Sequence, residues 1–518
     1  MPLFQPVTRL PDVRLQQGSG ERGFGLAGLT LILAVTAVSC GGGSKEAPPV
    51  RVTWVVGQAM PDFDPLGPPD PVRAAIERLI SRGLVEEDST GAVVPAAAES
   101  VAVSSDGLQY RFHLRADLSF ADGAPCRSDA FREAIEAGIN RLDHSTYTWL
   151  FASVQGMAKV RAGRPLPALG IATPDPRTLV ISLSHEDSLF LRKLAYPGAA
   201  VPWRRMADGG FDGIGSYRVA AISPQRLTLS RRAAAGPDSI QIRFVPSAAR
   251  VRALLRAAVP DLVWPIPPDL LDQALPPVYR SLSRPARPNR RLLIVFRPDL
   301  PPTSKPTARH ALASGLSRPE LIEALGKLGE DRSVGLNGAP PYEFPKDDPS
   351  QVREWLQRGD LGISLHVVMA YSADGAGARV ARTLQSEWAR NGLDVELRPF
   401  REPVVTTEML RPGGAQLLLV EDQSILSSPL AELASVVMPM RGPPVGAFRS
   451  GWTTREFDAW VWPAGNSPPL GVGAAQQRLV DEDVALPIAN LPWVWVVRSN
   501  LEGRFHPRFG PDPASAAP

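Results

Sequence analysis

The sequence predicts an α/β chain of more than one domain, and three observations carry that reading. Tyr110, Phe112 and Leu114 alternate with Gln109, Arg111, His113 and Arg115, the period-two pattern of a strand with one buried face. Phe131, Ala134, Ile135, Gly138, Ile139 and Leu142 then form one helical stripe, with Ser128 placed as an N-cap. Much later, alternating Ile363, Leu365, Val367 and Met369 lead to a stripe of Val380, Leu384 and Trp388. That stripe stops at Asn391-Gly392, before the strand-like "LDVELRPF". So short a βαβ unit implies a parallel pair. At 518 residues the chain has room for two or three domains.

In chain order, the first element is a leader. Arg9, Arg14 and Arg22 precede an apolar run from Leu26 to Ser39 that stops at Cys40. The run is shorter than the roughly 20 residues a membrane span needs, and suits the core of a signal peptide. Ala37–Cys40, "AVSC", resembles a bacterial lipobox, which makes Cys40 the candidate lipidation site and residues 1–40 the signal peptide. Residues 41–49 read as a flexible tether. Only Cys126 remains beyond Cys40, so the exported part forms no internal disulfide, and Cys126 reads as a small buried residue.

Val50–Val56 reads as a strand, the Pro-rich "PDFDPLGPPDP" as a loop, and Val72–Leu84 as a helix. The Asp106-Gly107 and Asp122-Gly123 pairs mark tight turns around the strand of Tyr110 and the short run Leu118–Phe120. Further strands are "RTLVISLS", "SYRVAAI", "RLTLS" and "IQIRFV", followed by a helix from Ala248 to Ala257. Between Ser283 and Arg290 the composition shifts to Pro and Arg, which marks a boundary before the strand "RRLLIVF". Ser317-Arg318-Pro319-Glu320 has the spacing of a capping box opening a helix through Leu325.

Several function classes find no support in the residues. The formal charge is only +3 and the basic residues are dispersed, which argues against a nucleic-acid partner. No Gly-rich phosphate loop follows a strand, and no G-x-S-x-G elbow occurs. The six histidines, His113, His144, His185, His310, His366 and His506, include no pair at metal-ligand spacing. Neither an enzyme nor a cofactor is expected.

The stretch "GLVEEDSTGAVVPAAAESVAVSSDGLQYRFHLRADLSFADGAPCRSDAFREAI" resembles the signature region of family-5 extracellular solute-binding proteins. These are the peptide-, dipeptide- and nickel-binding components of ABC importers. The matching elements are Gly83–Val85, Pro95–Glu99, Asp106–Arg115 and Phe120–Pro125. "GIATPDPRTLVISL", "FDGIGSYRV", "SAARVRALLRAAVPDLVWPIPPDLL" and "ARHALASGLSRPELIEAL" are similar to later family segments, in the same order.

The resemblance implies a bilobed periplasmic-binding-protein-like fold of the class II type, with an additional inserted lobe. Lobe I would comprise residues 50–75, 185–283 and 478–509, the inserted lobe II 76–184, and lobe III 284–477, before a tail at 510–518. It implies a monomer that takes a small solute, peptide-like or otherwise aminated, and works with a membrane ABC permease. Peptide-binding members hold the ligand's ammonium with an aspartate in a W-x-x-D-Y-like segment. Here that segment is "QLLLVEDQSILSSPL", which makes Asp422 the candidate ligand residue, with Glu421 and Leu419 beside it. Leu419 stands at the tryptophan position, Gln423 at the tyrosine and Arg297 at a common asparagine, departures that point away from a generic oligopeptide. They leave open a second reading, a non-transporting lipid-anchored sensor or adaptor.

Overall fold

The computed structural model describes residues 4–6, 50–60, 70–140, 150–160, 165–206, 211–233, 235–284, 290–329, 348–362, 365–373, 375–400, 414–423, 481–501, 505–506 and 510–511. Among these residues three sheets of five or more strands carry the architecture. The first sheet is mixed and has seven strands, in the order Tyr217–Ser223, Arg226–Arg231, Ser239–Phe244, Arg51–Val56, Leu262–Val263, Trp493–Arg498 and Tyr279–Arg284. Its three middle strands, Ser239–Phe244, Arg51–Val56 and Leu262–Val263, run parallel.

The second sheet is antiparallel: Phe4–Pro6, Ala98–Ser104, Gln109–Leu114, Thr178–Ser182 and Ile171–Asp175. The Asp106-Gly107 turn joins two of these strands as its residues require. Gly107 sits at φ +69°, and the Asp106 carboxylate accepts the Leu108 amide at 3.0 Å. Tyr110, Phe112 and Leu114 all face the core, as their alternation predicts. Helix Ser128–Asn140 packs Phe131, Ile135 and Ile139 there as well, while Leu142 lies outside the described residues. Its Ser128 hydroxyl donates to the Asp175 carbonyl and does not cap the helix.

The third sheet runs Asp394–Phe400, His366–Ser372, Leu417–Gln423, Arg290–Phe296 and Ala485–Asn490. The predicted βαβ unit is present: His366–Ser372 and Asp394–Phe400 pair in parallel through helix Ala376–Arg390. Its buried Trp388 donates its indole N–H to the Leu312 carbonyl at 2.8 Å, so the ring joins the core without an orphaned donor. Ser317 does precede a helix, Arg318–Leu325, but the capping box does not form. The Ser317 amide instead donates to the buried Glu387 carboxylate, and Glu320 pairs with Arg390.

Near three of the boundaries expected from sequence, described elements pack across them. Helix Pro71–Ile80 is shorter than predicted but crosses the break at residue 75, and its face of Val72, Ile76, Leu79 and Ile80 packs on the first sheet. The glycines of "GIG" make that docking possible. The Gly215 amide donates to the Ile80 carbonyl at 2.8 Å, and a Cβ at Gly215 would lie 2.4 Å from Ile80 C. Phe190, Leu194 and Tyr196 join the core of the second sheet, with the Phe190 and Tyr110 rings 4.8 Å apart. Residues 478–509, expected in lobe I, contribute strands to two sheets. Ala485–Asn490 pairs with Arg290–Phe296 in the third sheet, while Trp493–Arg498 enters the first. Pro492 lies between them and has no N–H to continue a ladder, so the chain changes sheets there.

Candidate functional site: the junction between the first and third sheets

In open sheets with parallel strands, ligands sit beyond the carboxyl ends of those strands, where strand order reverses. Both mixed sheets of this chain offer such ends. In the third sheet the chain runs from His366–Ser372 to a strand on one side, then to Leu417–Gln423 on the other. The reversal places the ends of His366–Ser372 and Leu417–Gln423 side by side. In the first sheet, residues 57–60 follow Arg51–Val56, and residues 264–267 follow Leu262–Val263.

The first-sheet rim is closely built. The Gly57 amide donates to the Pro265 carbonyl at 3.0 Å. A Cβ at Gly57 would fall 2.5 Å from Pro267 Cδ, so only glycine permits this approach. Trp54 is fully buried and donates its indole N–H to the Trp264 carbonyl at 2.7 Å. The Trp54 and Trp264 rings lie 6.0 Å apart, and Trp264 and Trp493 5.4 Å apart. Asp70 caps helix Pro71–Ile80 by accepting the Arg73 amide at 2.7 Å, and also accepts from Gln58 at 3.3 Å.

Across the junction, the three candidates from the sequence occupy one strand with different fates. Leu419 is fully buried against helix Ala376–Arg390, beside Gly377, and is a core residue. Glu421 shares its face but is partly exposed at the strand's carboxyl end. One Glu421 oxygen accepts the Ala376 amide at the start of helix Ala376–Arg390, where a carboxylate suits the positive end of the helix dipole. The other accepts from Arg290 at 2.7 Å. Asp422 stands opposite Arg291 in the ladder, and its side chain lies outside the described residues, as does Cys40.

Sequence reasoning missed Arg290, Trp264 and Trp493. The signal for Trp264 was the "VWPIP" run, an aromatic followed by prolines at a strand end. Arg290 and Trp493 are 203 residues apart and meet only through the fold. Among the described residues no group of His, Cys, Asp and Glu is arranged to hold a metal ion. Asp70 and Glu421 are both engaged by groups of the protein itself, Asp70 by the Arg73 amide and Gln58, and Glu421 by the Ala376 amide and Arg290. No described helix is long and apolar enough to cross a membrane.

Comparison with known proteins places this geometry in context. The model for bacterial extracellular solute-binding proteins, family 5 Middle, matches residues 92–461. The chain is 26% identical to the glutathione-binding protein GsiB of Escherichia coli O1:K1 / APEC over 397 residues, 72% of this chain and 73% of that one. Over a shorter stretch of 138 residues, 26% of each chain, it is 30% identical to the probable deoxycholate-binding periplasmic protein YgiS of Escherichia coli K12. The fold is similar to that of Haemophilus influenzae OppA in complex with the peptide RPPGFSPFR. There the TM-score is 0.76 at 16% identity, covering 90% of this chain and 99% of the other.

Proposed function

Because this chain belongs to the bacterial extracellular solute-binding proteins of family 5, we propose that it captures a small solute between two lobes and delivers it to a membrane ABC permease. The first sheet, with the second attached to it, forms one lobe, and the third sheet forms the other. The observation that carries this reading is that Trp264, just past Leu262–Val263, packs on Trp493, whose ring lies against Arg290, the partner of Glu421 near the end of Leu417–Gln423. The solute would be peptide-like or otherwise aminated, a class that includes glutathione, for which one relative is named. The ligand-binding role of Asp422 rests on the motif position alone, with Glu421 serving as a helix cap and Leu419 as core.

The test is chemical. Denaturing the purified chain and analysing the released small molecules by mass spectrometry should return one solute in near-stoichiometric amount. A chain that releases none, and binds none of a broad panel of peptides, thiol-containing peptides and bile acids, contradicts capture and favours the sensor or adaptor reading.

Anchoring through a lipid on Cys40 belongs to the same proposal, supported by the leader and the tether behind it. Cys40→Ser should release the protein or leave it unprocessed. A variant that stays fully processed and membrane-bound removes the anchor. Cleavage at Cys40 would also remove Phe4–Pro6, leaving Ala98–Ser104 at the edge of the second sheet.

A further inference from the structure

The chain passes between the first and third sheets twice among the described elements. It leaves Tyr279–Arg284 for Arg290–Phe296, and returns from Ala485–Asn490 to Trp493–Arg498. Arg290 is the first residue on the far side of one crossing, and Pro492 and Trp493 end the other. One guanidinium holds both. Its Nη1 donates to the Pro492 carbonyl at 2.9 Å, and its Nη2 to Glu421 Oε2 at 2.7 Å. Its carbon stands 4.9 Å from the centre of the Trp493 ring. The Arg290 carbonyl in turn accepts the Leu491 amide at 2.8 Å.

The partners of Arg290 belong to different sheets. Glu421 is tied to the third sheet by its strand and by the Ala376 amide of the following helix. The Trp493 ring packs on Trp264, itself fastened to Trp54 within the first sheet. A rotation of one sheet against the other therefore moves Glu421 relative to the Trp493 ring. A planar guanidinium can keep two directed hydrogen bonds and a ring contact over only a narrow range of such angles.

We propose that Arg290 is a positioning residue that sets the resting angle between the two lobes, by joining Glu421 of one to Pro492 and Trp493 at the other. The proposal rests on the reading that the two lobes move against each other to enclose a solute. Arg290 need not touch that solute. It acts on the equilibrium between open and closed forms, and the apparent affinity of a binding protein scales with the fraction in the competent form. Lysine cannot substitute for it, because an ammonium supplies the charge without the fixed fork.

The angle is measurable without any ligand. Spin labels at Ala220→Cys on the first sheet and Ala389→Cys on the third-lobe helix, both exposed positions, report the distance between lobes. A Cys40→Ser background leaves these as the accessible thiols, since Cys126 is buried. Arg290→Lys and Arg290→Gln should each shift or broaden the distance distribution of the unliganded protein, and Glu421→Gln should do so less. If one variant fails to fold, the other still decides. Distributions that superimpose on the parent's, or a lowered unfolding temperature with no change in distance, overturn the proposal. The functional reading fails on different grounds, the absence of any solute, so the two can be told apart.

Discussion

The Asp212 carboxylate accepts the backbone N–H of Ala121 at 2.8 Å, across 91 residues of sequence. Ala121 lies in the tight turn after Leu118–Phe120, and Asp212 in the short strand Phe211–Gly213 beside the first sheet. Arg232 completes the clasp from the end of Arg226–Arg231, donating to the Ser119 carbonyl at 2.8 Å, Phe120 at 3.0 Å and Gly213 at 3.0 Å. The Arg204 guanidinium covers the Phe120 ring at 3.7 Å. The turn thus serves as the fastening that holds the second sheet to the first.

If so, Arg232→Ala should destabilise the protein by about 2 kcal/mol, since it deletes several charge-assisted bonds to partly buried carbonyls. Urea unfolding measures the loss. Amide exchange at Ala121 should accelerate in parallel, and an unchanged rate there would show that the turn is held by other contacts.

A buried ion pair makes the second sheet's core sensitive to acid. Lys193 Nζ lies 2.6 Å from Asp187 Oδ2, both largely buried, and the Ser153 hydroxyl donates to the same oxygen. Burial alone raises the Asp187 pKa, but Lys193, Ser153 and the Leu189 amide outweigh it and hold the carboxyl below its ordinary 3.8. The native state therefore binds this proton less tightly than the unfolded chain. The stabilisation is complete above the unfolded pKa and is lost as pH falls through the native one. Asp187→Asn should cost about 3 kcal/mol at pH 7. Its deficit should shrink as the pH drops below about 4.

Cys126 should be chemically silent. It is buried, and burial pushes its thiol up to about 12. Iodoacetamide at pH 8 should label it only at the rate of unfolding, and immediate labelling of the native protein would contradict its placement in the core.

Much of the fold was legible because its signals are local. The Asp106-Gly107 turn and the face of Tyr110, Phe112 and Leu114 follow from near neighbours in sequence, and each element of the βαβ unit follows from its own short-range pattern. The capping box at Ser317 failed because Glu387, 70 residues away, reaches its amide and Arg390 takes Glu320. The division of the C-terminal segment hinged on Pro492, whose effect depends on which sheet each neighbour joins. The site was less legible. A motif position put Leu419 forward, yet its alternation with Leu417 already places it on the helix-covered face. Arg290 and Trp493 carry no pattern of their own, and only the two crossings bring them together.

Asp422 now has a sharper test. If it pairs with a cationic group of the solute, Asp422→Asn should lose about 3–5 kcal/mol of binding, roughly a hundred- to several-thousand-fold in affinity. Its unliganded melting temperature should scarcely change. Calorimetry with the solute identified by mass spectrometry reads both; equal affinity removes Asp422 from the site.

The claim that the junction itself is the binding site is tested most directly by hydrogen exchange, comparing the protein before and after its solute is stripped. If the three segments surround the solute, its binding should slow exchange at residues 57–60, residues 264–267 and the end of Leu417–Gln423 together. Protection confined to the second sheet, or to one of these segments without the others, would contradict it.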